Sequence, residues 1–168
     1  MKRIFFSILL LTHLCSICAT NIDYEFLRIL TKTGIICFEA DFSNASIHGM
    51  SEDVFAEYES DWEKDKPQII SKFLDEFTEQ IGGQLRLVRN EDDAIILRWS
   101  ILHINKNGDI KSELHIVDQN KIVKTVIPNI KGSGGTFGSK LNLIKDGAEE
   151  CGKNAGKILK RELKKAKK

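Results

Sequence analysis

Asn107-Gly108, set between two apolar-rich runs, is the feature that most constrains how this chain can fold. A two-residue Asn-Gly connection favours the mirror-image turns that suit the twist of paired strands. The spacing predicts a hairpin in which Lys106 faces Asp109, Ile101 lies opposite Leu114 and Trp99 lies opposite Ile116. Side chains alternate faces along a strand. One face therefore gathers Ile95, Leu97, Trp99, Ile101, Ile110, Leu114 and Ile116. The other gathers Arg98, Ser100, Lys111, Glu113 and His115, with Ile96, Leu102 and Ile104 among them. The nearly uniform apolar face is the expected core side, and a slip of one residue would turn it to solvent. A third strand is expected from Ile122 to Ile130, after the turn at Gln119-Asn120; Pro128 ends it or marks an edge.

Elements around the hairpin follow from shorter signals. Gly34 to Phe42 is apolar, strand-length and bounded by Gly and by a Ser/Asn-rich loop, so it is expected as a strand beside the hairpin. Ser51 can cap a helix whose first turn holds Glu52 and Asp53. Val54, Phe55, Tyr58 and Trp62 recur at helical spacing; Pro67 then implies a restart, capped at Asp65 or Lys66. Ile70, Phe73, Leu74, Phe77 and Ile81 form an amphipathic stripe that Gly82-Gly83 stops. Gln84 to Val88 is a candidate short strand. From about Ser139 to Lys164 a last helix carries the stripe Ile144, Ala148, Cys151, Ala155, Leu159 and Leu163. Gly152 and Gly156, one turn apart, are expected to let this helix pack closely on the sheet. Residues 20–33 read as a lead-in arm.

The chain opens with Met1-Lys2-Arg3 and an apolar run, followed by small residues, which is a secretory leader pattern with cleavage expected after Ala19. Cys15 and Cys18 fall inside that leader, and neither is preceded by the small residue a lipid-attachment box wants. Lipid anchoring is therefore not favoured. Export to the periplasm or the medium leaves Cys37 and Cys151, which read either as two buried free thiols or as one disulfide. Asn44-Ala45-Ser46 matches a glycosylation sequon, relevant only to a eukaryotic secretory route. The resulting division is a leader over 1–19, the lead-in over 20–33, one domain over 34–164 and a basic tail over 165–168.

The formal charge of +1 falls to −1 once Lys2 and Arg3 leave, so no bulk attraction to nucleic acid follows. The distribution is uneven. Residues 51–65 hold seven acids against Lys64, whereas residues 152–168 hold eight Lys and Arg against Glu162. Such runs read as solvated helix faces of opposite sign that can attract each other, or as a tail for an anionic lipid surface. Residues 131–140 are Gly-rich but fit neither a Walker loop nor a dinucleotide fingerprint, because Ser139 separates Gly138 from Lys140 and Phe stands at 137. Gly132, Gly134, Gly135, Thr136 and Gly138, with the lysines Lys153, Lys157, Lys160 and Lys164, are the candidate contacts for an anion or a partner. The hairpin register sends His103 and His115 to opposite faces, so they share no metal ion. No catalytic residue, metal site or cofactor is expected.

The strings SIHGMSEDVFAEYESDWEKDKP and KGSGGTFGSKLNLIKDGAEECGKNAGKILKREL resemble a group of small exported proteins of Gram-negative bacteria with no established activity. The order strand, helix, strand meander, helix is also similar to the amino-terminal domain of TolB and to envelope lipoproteins that assist transport or cell-wall synthesis. That likeness is architectural and implies no residue roles. The expected fold is α+β: a mixed sheet of four to five strands, an antiparallel meander over about 93–131, and helices packed mainly on one face. The expected function is a non-enzymatic accessory or binding module of the cell envelope. Association with anionic lipid and a hydrolase of unrecognised site are the alternatives.

Overall fold

Alternation along the strands and the helical stripes together dictate two layers, and the structure has two. The computed structural model of the chain describes residues 22–88 and 94–168. The leader over 1–19 and the acids at 91–93 lie outside the described residues. The elements are α1 (Tyr24–Thr33), β1 (Ile35–Asp41), β2 (Ser46–Ile47), α2 (Glu52–Tyr58) and α3 (Trp62–Ile81). They continue with β3 (Arg86–Val88), β4 (Ile95–Ile104), β5 (Ile110–Val117), β6 (Val123–Gly132) and α4 (Lys140–Ala166). The fold is α+β with a six-stranded mixed sheet in the order β3-β1-β4-β5-β6, and two-residue β2 pairs with β4 off that path. β1 is parallel to both β3 and β4, while β4, β5 and β6 form the antiparallel meander.

The hairpin register differs from expectation in an instructive way. Trp99 pairs with Leu114 and Leu97 with Ile116, two residues away from the predicted partners. Asn105 is the cause. Its side-chain oxygen accepts N–H bonds from Asn107 and Asp109, at 2.9 and 3.0 Å, and its own N–H donates to the Asp109 carbonyl. The connection is therefore a longer loop, and Leu102 becomes an extra residue in β4. The period of side chains is two, so a slip of two leaves every core residue inward. Leu97, Trp99, Ile101, Leu114 and Ile116 are all buried.

The same bulge overturns the placement of the histidines. Beyond Leu102, Ile104 pairs with Ile110 on the core side, so His103, paired with Lys111, turns to the outer face that also bears His115. The two still stand four positions apart along β5, about 14 Å at the strand rise. Among the described residues no group of three or more His, Cys, Asp or Glu could hold a metal ion.

Three further expectations change. The supposed lead-in is α1: Asp23 caps it by accepting the Phe26 N–H at 2.9 Å, Gly34 ends it at φ 64°, and Leu27 and Leu30 are fully buried. α3 starts at Trp62, five residues before Pro67. Proline there forgoes one helical hydrogen bond, but Trp62 is buried edge-on between Phe42 and Phe55, at ring distances of 5.6 and 5.1 Å. Burying an aromatic of that size stabilises by more than one bond costs. The tail shrinks too, since α4 runs to Ala166, itself 2 % exposed.

α3 and α4 pack side by side over the sheet and run parallel. Lys145 pairs with Asp65 and Lys72 with Glu149, while Lys160 reaches the Gln80 carbonyl. The close approach at Gly152 and Gly156 is to α3, not to the sheet. A Cβ at Gly152 would fall on the Phe73 carbonyl, and one at Gly156 would lie 2.9 Å from the Phe77 carbonyl. The cysteines are both free. Ile36 faces the core, so Cys37 beside it lies on the outer face, whereas Cys151 on α4 touches Ser112 and the Ile110 carbonyl from the core side. The sheet stands between them and no disulfide can form.

Candidate functional site

The residues expected to contact an anion are not gathered in one place. Two N–H groups of the Gly-rich loop already serve the chain's own carboxylates: Gly134 donates to Asp109 at 2.9 Å and Ser133 to Glu150 at 2.7 Å. The Gly134 N–H, joined by the Asn105 amide, holds the Asp109 carboxyl below its ordinary range. Gly132 ends β6 against the Gly147 carbonyl, with no room for a ligand. Thr136 and Gly138 are exposed farther along the loop. Gly135 does meet Lys153 and Lys157, in a groove of about 510 Å³, but Glu76, Asp146, Glu149 and Glu150 line it as well. Four carboxylates against two ammonium groups repel an anion. Lys160 spends its ammonium on the last turn of α3, where the helix dipole favours a cation, and Lys164 lies exposed near the end of α4.

The sheet face opposite α3 and α4 carries a charged grid. Arg98 donates to Glu39 at 3.1 Å on one side and pairs in register with His115 on the other. His115 Nε2 meets Glu113 at 3.0 Å. Ser43, more than Arg98, keeps the Asp41 carboxyl below its usual range. His115 thus spends that nitrogen on a carboxylate of its own strand. The Cys151 thiol lies on the other side of the sheet, and burial pushes it up to about 12, far from a reactive thiolate at neutral pH.

One apolar groove was not read from the sequence. Phe26, Ile29 and Thr33 of α1 make one wall of a groove of about 430 Å³. Ile35, Ala94 and Ile95 make its floor, and Asp118, Gln119 and Asn120 make the opposite wall. That opposite wall is held by its own chemistry. The Asp118 carboxylate accepts N–H bonds from Asn120 at 3.0 Å and Ile122 at 2.8 Å and pairs with Lys124 at 3.2 Å. The rim carries exposed apolar surface: Ile29 of α1 is 51 % exposed. Exposed apolar surface around a concave site marks a place where something binds. The usable signal was the run from Asp23 to Gly34, with its cap residues at both ends.

No family model, curated protein or solved structure matches this chain.

α1, and with it the groove, is latched to α4 through Glu162. This carboxylate is 2 % exposed and accepts from Tyr24 Oη at 3.0 Å, Arg161 Nε at 3.0 Å and Lys165 Nζ at 2.9 Å. Arg28 Nε adds a bond to the Ala166 carbonyl at 3.3 Å. Burial raises the Glu162 pKa, but the bonds from Lys165, Arg161 and Tyr24 outweigh it, so the net shift is downward. A carboxyl depressed on folding contributes stability above its unfolded pKa and loses it as pH falls through the folded value. Acid titration should therefore release α1 below the ordinary glutamate range, and Glu162→Gln should flatten that part of the stability profile. Urea midpoints measured across acid pH test this; identical profiles for the two proteins would show that the latch does not titrate.

Proposed function

We propose that this chain is an exported, non-enzymatic binding module of the bacterial envelope whose contact site is the apolar groove between α1 and the β5–β6 turn. The observation that carries the reading is the groove itself: fixed walls, an apolar floor at Ile35 and Ile95, and a rim at Ile29 that is exposed rather than covered. Sheet edges support it less. β6 carries Pro128 and a left-handed Asn129 at φ 59°, and the bridge from Ile22 to Thr125 occupies part of its edge. Such features block strand addition. The leader pattern over residues 1–19 supports a location outside the cytoplasm. Among the described residues no helix is long and apolar enough to cross a membrane.

The test is a photo-crosslinking residue at Ile29, with the same residue at exposed Lys131 as control, in cells that make the protein naturally. A product specific to position 29 is expected. Capture from neither position, or equally from both, would remove the groove as the contact site. A second reading, adhesion to anionic lipid, is favoured by one observation only: Lys164, Lys167 and Lys168 at the end of α4 are exposed.

A further inference from the structure

The acid run and the basic run cannot neutralise each other within one molecule. α3 and α4 are parallel, so residues 51–63 sit beside the start of α4, where Lys140 pairs with Glu59 at 3.2 Å. The last lysines, Lys164, Lys167 and Lys168, sit at the far end of this 27-residue helix, up to about 40 Å away. Charges that far apart are screened at physiological salt, where the Debye length is about 8 Å. At the acidic pole Glu52, Glu59 and Asp65 are paired with Lys66, Lys140 and Lys145. Among the described residues Asp53, Glu57, Asp61 and Glu63 make no ion pair. At the basic pole Lys164, Lys167 and Lys168 make no ion pair with a carboxylate among the described residues.

Shape follows the same polarity. The acidic pole protrudes: Tyr58 is 66 % exposed with Lys140 Nζ over its ring, Val54 one turn earlier is 50 % exposed, and Phe137 in the loop before α4 is 89 % exposed. Phe55 is the one fully buried residue of α2. The basic pole is concave. The groove of about 430 Å³ opens there, because the starts of β1 and β4, the end of β5 and α1 all meet at the end of α4.

We infer that the occupant of the groove is a second copy of this chain, which inserts the aromatic knob of its acidic pole between α1 and the β5–β6 turn while its free carboxylates meet the lysines ending α4. The inference rests on the groove being a binding site and names its partner. Two different surfaces at opposite ends make the contact heterologous, so it propagates head to tail instead of closing into a pair. Opposite charges speed and align the encounter, and the apolar knob supplies the contact that charges alone hold weakly.

Sedimentation of the protein as its host processes it decides the matter. Average mass should rise with concentration at about 50 mM salt and return to that of a monomer at about 500 mM, where screening is nearly complete. Reversing one pole, by Asp53→Lys with Glu57→Lys and Asp61→Lys, should weaken association at least about tenfold. Lys164→Glu with Lys167→Glu and Lys168→Glu should do the same at the other pole. An equimolar mixture of the two variants should associate again, which a folding defect in either would prevent. A crosslinker at Ile29 should capture peptides containing Tyr58 or Phe137. A wild-type protein that stays monomeric at low salt overturns the self-contact. If that monomer still yields a foreign protein from Ile29 in cells, the groove stands with another occupant. If it instead floats with phosphatidylglycerol vesicles and the lysine-reversed variant does not, the basic pole belongs to a membrane.

Discussion

Trp99→Ala should destabilise the protein by about 3–5 kcal/mol, the range for emptying a large aromatic site in a core. Trp99 is fully buried at the centre of β4. Its ring stacks on Phe73 at 4.1 Å and 17° and meets Phe42 edge-on at 6.2 Å. Phe73 in turn touches Phe38 at 5.6 Å and Phe77 at 5.9 Å, and Phe42 leads to Trp62 and Phe55. The sheet, α3 and α2 are thus joined through one aromatic chain that passes through this indole. Its Nε1 is buried with no hydrogen-bond partner among the described residues. Trp99→Phe therefore keeps a stacking ring and removes an unsatisfied donor, whose burial costs about 1–3 kcal/mol. It should cost much less than the alanine change. Urea unfolding of the three proteins, compared at constant m, measures both. A phenylalanine variant as unstable as the alanine one would show that filling the site with a ring is not enough and that the indole N–H contributes.

Gly152→Val should cost at least about 3 kcal/mol, at the upper end of what overpacking a core costs. The added Cβ meets the backbone of α3 at Phe73, not the end of a side chain, so no rotamer change relieves it. α3 and α4 must separate, and with them the Phe73 contact to Trp99. Gly152→Ala is the sharper comparison. In an open helix alanine is favoured over glycine by about 1 kcal/mol. Here the packing term opposes that gain and should exceed it, giving a net loss of about 1–3 kcal/mol. Thermal unfolding decides the sign. A stabilised Gly152→Ala would mean that the two helices have slack at this crossing.

What could be read in advance was local. The stripe Ile144, Ala148, Cys151, Ala155, Leu159 and Leu163 is buried along its whole length, and Phe73, Phe77 and Ile81 are buried on α3. Gly82 ends α3 in the left-handed region at φ 62°, and the Ser139 side chain caps α4. The start of α3 was misread because Pro67 is a strong local signal, and burial of Trp62 by Phe42 and Phe55 overrides it. α1 was missed because its amphipathic face is short, with Leu27 and Leu30 carrying nearly all of the burial. The groove was missed for a related reason. Its two walls and floor come from residues 26–35, 94–95 and 118–120, which nothing in their spacing connects.

By itself the order of residues determined which side of each element is apolar. A period of two or 3.6 is written within a few residues and survives even a two-residue change of strand register. The tertiary structure alone decided that β1 enters the sheet between β3 and β4, that the two thiols lie on opposite sides of it, and that α3 and α4 run parallel. Those outcomes depend on contacts between distant residues, such as Arg28 with Ala166 and Tyr24 with Glu162, each 138 positions apart. Which pairs close is settled by the packing energy of the whole, and that sum also separates the acidic end of the molecule from the basic one.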